Sequence, residues 1–313
     1  MKPLVIIAGP TGVGKTELSL KLAKAINGEI ISADSMQIYK ELDIGTAKIT
    51  KDEMNGVKHH LIDVFDPDFS CDVTLYKQLC EKCINDITKR GRIPIMVGGT
   101  GFYIQAVAKD IDFKFEDTEA IHNKLTEFYE TFGEDALFER LRKVDEKTCA
   151  NIPKQNIKKI IRALEFYEYH GYPISEHNEE QRLKETPYNL AFFVLNKNRT
   201  ALYESIDRRV DEMMNKGLLE EVQNLINKYT YNSSSGYYNA IGYKELFEYF
   251  DHKCTLEDAI AKIKQNSRHY AKKQITFFKR EKDTIWLDKD VSDDEEILSK
   301  MINTCKERGI INE

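Results

Sequence analysis

The sequence predicts an α/β fold: a parallel sheet flanked by helices and interrupted by an inserted all-helical subdomain. Three observations carry this expectation. The chain opens on an apolar run, Leu4-Val5-Ile6-Ile7-Ala8, followed by a glycine-rich turn and a helical period. A second buried run, 92–97, leads into a second glycine turn, Gly98-Gly99-Thr100-Gly101. Between about 112 and 187 the periodicity is helical with few strand signals, after which Leu190-Ala191-Phe192-Phe193-Val194-Leu195 returns to a strand pattern. Strands alternating with helices assemble a parallel sheet, and a long strand-poor stretch has no place in it. The expected division is therefore 1–112 as the first part of the core, 113–187 as the insert, and 188–313 as the second part with a basic C-terminal helix.

At 313 residues, 41 % hydrophobic and 31 % charged, the chain has the composition of an ordinary soluble globular protein. The formal net charge of −6 argues weakly against nucleic acid as a partner. The charge is segregated, however. Residues 110–146 hold twelve Asp/Glu against five Lys/Arg, and 262–282 hold eight Lys/Arg against one Glu. Either run alone is explained by a solvated helical face, but the segregation leaves room for a basic groove. Six scattered cysteines with one isolated C-x-x-C (Cys80, Cys83) fit reduced, structural thiols better than zinc. The N-terminal apolar run is too short for a signal peptide and no stretch approaches a membrane span, so a cytoplasmic protein with no membrane partner is expected.

The first turn, Gly9-Pro10-Thr11-Gly12-Val13-Gly14-Lys15-Thr16, reads G-x-x-x-x-G-K-T between a strand and a helix. That is the context of a diphosphate- or nucleotide-binding loop, and the core is expected to be a P-loop NTPase-like sheet. Glycines let successive N–H groups turn inward, Lys15 adds a cation, and the helix N-terminus points its positive end at the anion. Thr16 would place its hydroxyl on Mg²⁺. The loop alone does not choose among kinases, NTPase switches and other transferases.

The next strand, 28–33, ends at Asp34-Ser35-Met36-Gln37-Ile38-Tyr39. Functional groups collect at the carboxyl ends of parallel strands, so Asp34 shares a rim with the glycine loop. Its carboxylate has three readings: a Mg²⁺ ligand, a general base, or a cap on the following turn. His59-His60-Leu61-Ile62-Asp63-Val64 reads as a third strand, on which the adjacent histidines face opposite ways and suit structure better than a metal. Residues 72–89 read as an amphipathic helix with Val73, Tyr76, Leu79, Cys80, Cys83 and Ile87 on one stripe. The strand at 92–97 and its glycine turn would then face the same cleft as the first. Within the insert, 155–170 places Ile157, Ile160, Ile161, Leu164 and Tyr167 on one face and Lys158, Lys159 and Arg162 on another. Such a basic face is either solvated or holds a phosphate backbone. After the strand at 190–195 comes a helix carrying Arg208 and Arg209, with Met213, Leu218 and Val222 as its apolar contacts. A flexible loop at 232–236, a helix starting near 240, a long amphipathic helix at 257–279 and a last strand at 284–287 complete the reading. Arg268, Lys272 and Lys273 stand off the seam of the long helix.

Taken together these stretches resemble the tRNA dimethylallyltransferases, nearly end to end. The loop opens Gly-Pro-Thr at 9–11; 34–39 matches D-S-x-Q-x-Y; 59–63 matches H-H-L-x-D; 98–103 matches G-G-T-G-x-Y. Arg162-Ala163-Leu164-Glu165 matches R-A-L-E, Ile241-Gly242-Tyr243 matches I-G-Y, and Tyr270-Ala271-Lys272-Lys273-Gln274 stands for Y-A-K-R-Q. The sequence departs at Lys159 and Lys273, where arginine is usual, at Phe277 for tryptophan and at His122 for arginine. Lysine keeps the charge but loses the bidentate fork on phosphate. The zinc finger of eukaryotic relatives has no counterpart, so a bacterial type is expected.

The resemblance implies transfer of a dimethylallyl group from dimethylallyl diphosphate to the exocyclic amine of the adenosine immediately 3′ of the anticodon. It implies Thr11, Lys15 and Arg209 on the leaving diphosphate, Mg²⁺ on Thr16, and Asp34 as acceptor of the amine proton. The adenine is expected to be flipped into a channel and held by 34–37 and Thr100. The tRNA anticodon stem-loop is expected to touch Asp34, Ser35, Met36, Gln37, Thr100, His122, Lys158, Lys159, Ile160, Ile161, Arg162, Gly242, Lys244, Arg268, Lys272 and Lys273. A monomer is expected. The rival readings are a P-loop kinase of a nucleoside or small metabolite, a transferase acting on free adenine nucleotides, and a non-catalytic RNA-binding module.

Overall fold

The structure is a computed structural model that describes residues 1–113, 118–229 and 235–312. Part of the expected loop at 232–236, namely 232–234, lies outside the described residues. In chain order the elements are β1 (Lys2–Ala8), α1 (Lys15–Ala25), β2 (Gly28–Ala33), β3 (His59–His60), α2 (Val73–Lys89), β4 (Ile93–Gly98), α3 (Gly101–Ala108), α4 (Glu119–Val144), α5 (Glu146–Cys149), α6 (Ile157–His170), α7 (Ile174–Leu183), β5 (Tyr188–Asn196), α8 (Arg199–Asn215), α9 (Leu218–Lys228), α10 (Tyr243–Phe250), α11 (Leu256–Phe278), β6 (Ile285–Asp288) and α12 (Asp294–Glu307). They form two compact units, one of Met1–Ala108 with Thr186–Glu313 and one of Lys109–Glu185.

The first unit is built on a parallel six-stranded sheet of order β3-β2-β4-β1-β5-β6. Along β1, Leu4, Ile6 and Ala8 join one buried cluster and Val5 and Ile7 join another, so both faces of the sheet are covered. Sheets covered on both faces carry continuous apolar strands, which is why β1, β4 and β5 are legible as unbroken runs. α1 and α12 pack on one face, while α2, α3, α9 and α10 contribute to the cluster on the other. Register aligns the carboxyl edge: Gly98 pairs with both Ala8 and Ala33, which places the turns beginning at Gly9, Asp34 and Gly99 side by side.

The second unit holds α4 to α7 around Leu125, Leu137, Leu141, Ile160, Ile161 and Leu164. Gly133 interrupts α4 with φ 80°.

Three elements differ from the sequence expectation. The third strand stops at His60, because Leu61 and Asp63 adopt positive φ and turn the chain. The single helix expected to carry Arg208, Arg209, Met213, Leu218 and Val222 is two helices, since Gly217 at φ 98° ends one and starts the other; that conformation suits glycine. α12 has no counterpart in the sequence expectation, although Asp293 and Glu296 form a capping box at its start. The histidines have structural partners: His60 Nε2 lies 2.6 Å from the buried Glu29 carboxylate, and His59 Nδ1 lies 2.9 Å from the Val57 carbonyl. All six cysteines are free thiols. Among the described residues no helix is long and apolar enough to cross a membrane.

Candidate active site

The glycine loop closes over the end of β1, and Gly14 caps α1 with a left-handed backbone. Lys15 folds back into the loop, its Nζ donating to the carbonyls of Gly9 at 2.9 Å and Pro10 at 2.8 Å. Burial drives the Lys15 ammonium down to a pKa of about 7; Arg209 pushes the same way and Asp34 opposes it. Arg209, from α8, is also held below its usual range by burial, again opposed by Asp34. Two part-buried cations facing one carboxylate form a site short of negative charge. An arriving diphosphate would relieve both.

Arg209 donates through one guanidinium nitrogen to the Thr46 carbonyl at 3.2 Å, while its buried Nε has no partner among the described residues. An orphaned buried donor of this kind points to a ligand oxygen. Thr46 belongs to a loop that the sequence alone does not single out. Glu221 of α9 grips that loop, accepting the N–H groups of Asp43, Ile44 and Gly45 at 3.1, 2.7 and 3.1 Å. The Tyr243 hydroxyl donates to the same carboxylate at 2.7 Å.

Asp34 stands at the end of β2, half-buried. Its Oδ1 accepts the Met36 N–H at 2.9 Å and, more weakly, the Gln37 N–H at 3.4 Å. One oxygen therefore caps the turn, as the plainest sequence reading has it. Oδ2 takes no hydrogen bond among the described residues, so the capping role leaves an acceptor available. Thr100 joins the next turn to this one: its Oγ1 accepts the Ser35 N–H at 3.1 Å. Gln37 is a strut, with Ser32 Oγ donating to its Oε1 at 3.2 Å and its Nε2 donating to the Thr46 carbonyl at 3.2 Å.

Two residues of α11 complete the rim that the sequence expectation does not name as site residues. Gln274 is 6 % exposed; its Oε1 accepts the Thr11 N–H at 2.9 Å and its Nε2 donates to the Gly99 carbonyl at 2.9 Å. Tyr270, one turn earlier, stands against Thr100, Gln274 and Asp34, and burial pushes its hydroxyl up to about 12 with Asp34 adding to the shift. Their spacing of four within Tyr270-Ala271-Lys272-Lys273-Gln274 is the available signal, since such residues share a helix face. A second lysine also reaches the loop: Lys289 Nζ lies 2.8 Å from where a Cβ on Gly14 would stand and pairs with Asp294 at 2.7 Å.

The expected RNA-facing residues divide. In the helical unit Lys158 and Lys159 are exposed and make no ion pair among the described residues. His122 Nδ1 pairs with Glu165, a carboxylate 5 % exposed, and Arg162 lies 3.7 Å from the same group. Ile160 and Ile161, at 0 % and 6 % exposed, place their side chains in the core of that unit. Lys272 and Lys273 are exposed on α11. Arg268 is instead committed to a two-pronged pair with Asp207 at 2.6 and 2.8 Å. Gly242 is buried, and its N–H donates to Glu245 at 2.8 Å; Lys244 lies 3.7 Å from that carboxylate. Gly242 is thus the N-cap of α10.

The loop also offers Mg²⁺ a donor of the right chemistry. Thr16, the second residue of α1, is exposed and its hydroxyl makes no hydrogen bond among the described residues. No group of three or more His, Cys, Asp or Glu converges on a metal among those residues. A single protein hydroxyl with substrate phosphates and water is an ordinary Mg²⁺ environment.

Comparison with known proteins places these residues in a family. The family model described as IPP transferase matches residues 37–281. A tRNA dimethylallyltransferase from Lachnoclostridium phytofermentans is 50 % identical over 99 % of this chain and 100 % of its own. Among solved structures, the full-length tRNA isopentenylpyrophosphate transferase from Bacillus halodurans is 41 % identical with a TM-score of 0.74, covering 99 % of this chain and 98 % of that one. A eukaryotic dimethylallyltransferase acting on tRNA is 31 % identical with a TM-score of 0.80, over 97 % of this chain and 80 % of that one.

Proposed function

The chain belongs to the IPP transferase family, and from that premise we propose how its residues perform the reaction. The enzyme transfers a dimethylallyl group from dimethylallyl diphosphate to the exocyclic amine of the adenosine immediately 3′ of the anticodon, releasing diphosphate. The amine lone pair forms the new C–N bond. The allylic C–O bond breaks, and its electron pair leaves with the diphosphate. One amine proton passes to a base.

The observation that carries the assignment of roles is the pairing of charges on one rim. Lys15 and Arg209 are both depressed by burial, and Asp34 is close enough to act on each. The cations serve the diphosphate, where negative charge develops in the transition state, together with loop N–H groups of 12–16. The orphaned Nε of Arg209 is a further donor for a phosphate oxygen. Thr11 contributes its hydroxyl, because its N–H is taken by Gln274. Mg²⁺ held at Thr16 would neutralise charge on the leaving diphosphate.

Asp34 accepts the amine proton through Oδ2, the oxygen not used by the turn. Its neighbours Ser35, Met36 and Thr100 form the wall against which a flipped adenine is held. For the anticodon stem-loop, Lys158, Lys159, Arg162 and His122 of the helical unit and Lys272, Lys273 and Lys244 of the α/β unit are the proposed phosphate contacts.

Incubation of unmodified tRNA with labelled dimethylallyl diphosphate and Mg²⁺ tests the reading. Label entering tRNA at the adenosine 3′ of the anticodon is the expected outcome. Label entering AMP, or no transfer at all, would sink it.

A further inference from the structure

We propose that Gln274 is a positioning residue that sets the distance between the diphosphate site and the acceptor site, an inference that rests on the function proposed above. The amide spans two turns that are remote in sequence. Its Oε1 accepts the Thr11 N–H of the turn after β1, and its Nε2 donates to the Gly99 carbonyl of the turn after β4, both at 2.9 Å. The orientation is dictated by chemistry, since a backbone N–H only donates and a carbonyl only accepts. A carboxamide does both at once at any pH, whereas a carboxyl group does so only when protonated. The fit is close: a Cβ on Gly99 would stand 2.1 Å from Nε2, so residue 99 has to be glycine for the amide to reach its carbonyl.

Each turn carries one half of the reaction. The first carries Lys15 and the anion cradle. The second carries Thr100, whose Oγ1 holds the Ser35 N–H next to Asp34. A strap between Thr11 and Gly99 therefore fixes the leaving group's seat relative to the base's segment. α11 does not need the amide to stay on the sheet. Ala271 and Phe278 are fully buried, and the Phe277 ring lies 2.4 Å from where a Cβ on Gly101 would be. Apolar packing holds the helix, and the amide adds direction. Gln274 touches neither substrate in this role; it acts through the two turns.

The experiment compares wild type with Gln274→Met and Gln274→Glu in single-turnover transfer to an anticodon stem-loop. Gln274→Met keeps the length and removes both hydrogen bonds. Its turnover at saturating substrates should fall about 10- to 100-fold, the effect of a misplacement on the order of 1 Å, while the Kd for dimethylallyl diphosphate moves less than about threefold. In Gln274→Glu the carboxylate still accepts from Thr11 but turns a lone pair on Gly99; the protonated acid restores both bonds. The rate of Gln274→Glu relative to wild type should therefore rise as pH is lowered from about 8 to about 5, through the range of a carboxyl raised by burial. Wild-type turnover in Gln274→Met, a loss confined to diphosphate affinity, or a flat ratio for Gln274→Glu would each overturn the proposal. If Gln274→Met melts below the assay temperature, the pH ratio decides. If wild type itself transfers no label, the function is wrong and the strap is judged by amide exchange. Exchange at Thr11 should then be at least about tenfold faster in Gln274→Met, which lacks the acceptor, if the strap fixes the turn, and unchanged exchange would overturn it.

Discussion

The carboxyl rim of the sheet and the basic face of α6 use the same kinds of charge in opposite ways. Lys15 and Arg209 are sunk among backbone carbonyls, each depressed by burial, and each has its geometry set by fixed partners. Lys158 and Lys159 stand in water on a helix whose opposite face is core. Part-buried charges are screened far less and are pre-aimed, so they act on a transition state. Exposed charges are screened, so they act on encounter and affinity. The comparison teaches that net charge says little about function in this chain. What matters is which cations have surrendered their water.

The largest effect that could break this contrast lies at Asp34. Asp34→Asn should lower single-turnover kcat by ~10²–10⁴, the span for a positioned acid–base group. Affinity for dimethylallyl diphosphate and the Mg²⁺ optimum should stay put. The turn should survive, because asparagine can still accept the Met36 N–H. Rate rescued by raised Mg²⁺ would make Asp34 a metal ligand instead.

Lys15→Ala should cost ~10²–10³ in kcat, by analogy with removing one donor from an oxyanion site. A finer test uses the lowered pKa. Diphosphate binding requires the ammonium, which burial holds near 7 in the free enzyme. Below that pH Lys15 is already charged; above it, binding must take up a proton. The wild-type Kd should therefore weaken by up to about tenfold per pH unit above about 7. Arginine stays charged throughout, so Lys15→Arg should show the flatter titration under the same ligand ionisation. Parallel titrations by calorimetry would remove Lys15 from the anion site.

On α6 the expected signature is salt, not rate. Replacing Lys158, Lys159 and Arg162 with alanine should weaken tRNA binding and reduce the log–log salt slope by about 0.7 to 0.9 per lost phosphate contact. Turnover at saturating tRNA should hold. An unchanged slope would mean that this face is merely solvated. The smallest effect sharpens the boundary on the same helix. Ile160→Val should cost about 0.5–1.5 kcal/mol of stability with the salt slope unaltered, since it removes one buried methylene. A melting curve and a salt titration on that variant measure both.

The sequence by itself determined the glycine loop, the second glycine turn, Asp34 at a strand end and the amphipathic stripes of α2, α6 and α11. These are written in contiguous residues: a backbone conformation that suits glycine, an apolar run of strand length, a 3.6-residue period. It also carried the family motifs in order, and through them the reaction. What it did not hold was anything that depends on two distant pieces meeting. The order β3-β2-β4-β1-β5-β6 brings residues 9, 34 and 99 to one level, and no local pattern encodes strand order. Gln274 reaches back 263 residues to Thr11, and Glu221 reaches 176 to 178 residues to Gly45, Ile44 and Asp43. A side-chain hydrogen bond of that span leaves no periodicity to read. Ile160 and Ile161 escape a sequence reading for a related reason: their place on the apolar stripe is legible, but its burial is decided by Leu125, Leu137 and Leu141 of another helix. Local chemistry is carried by neighbours in sequence, whereas burial and long hydrogen bonds belong to neighbours in space, and only folding makes those.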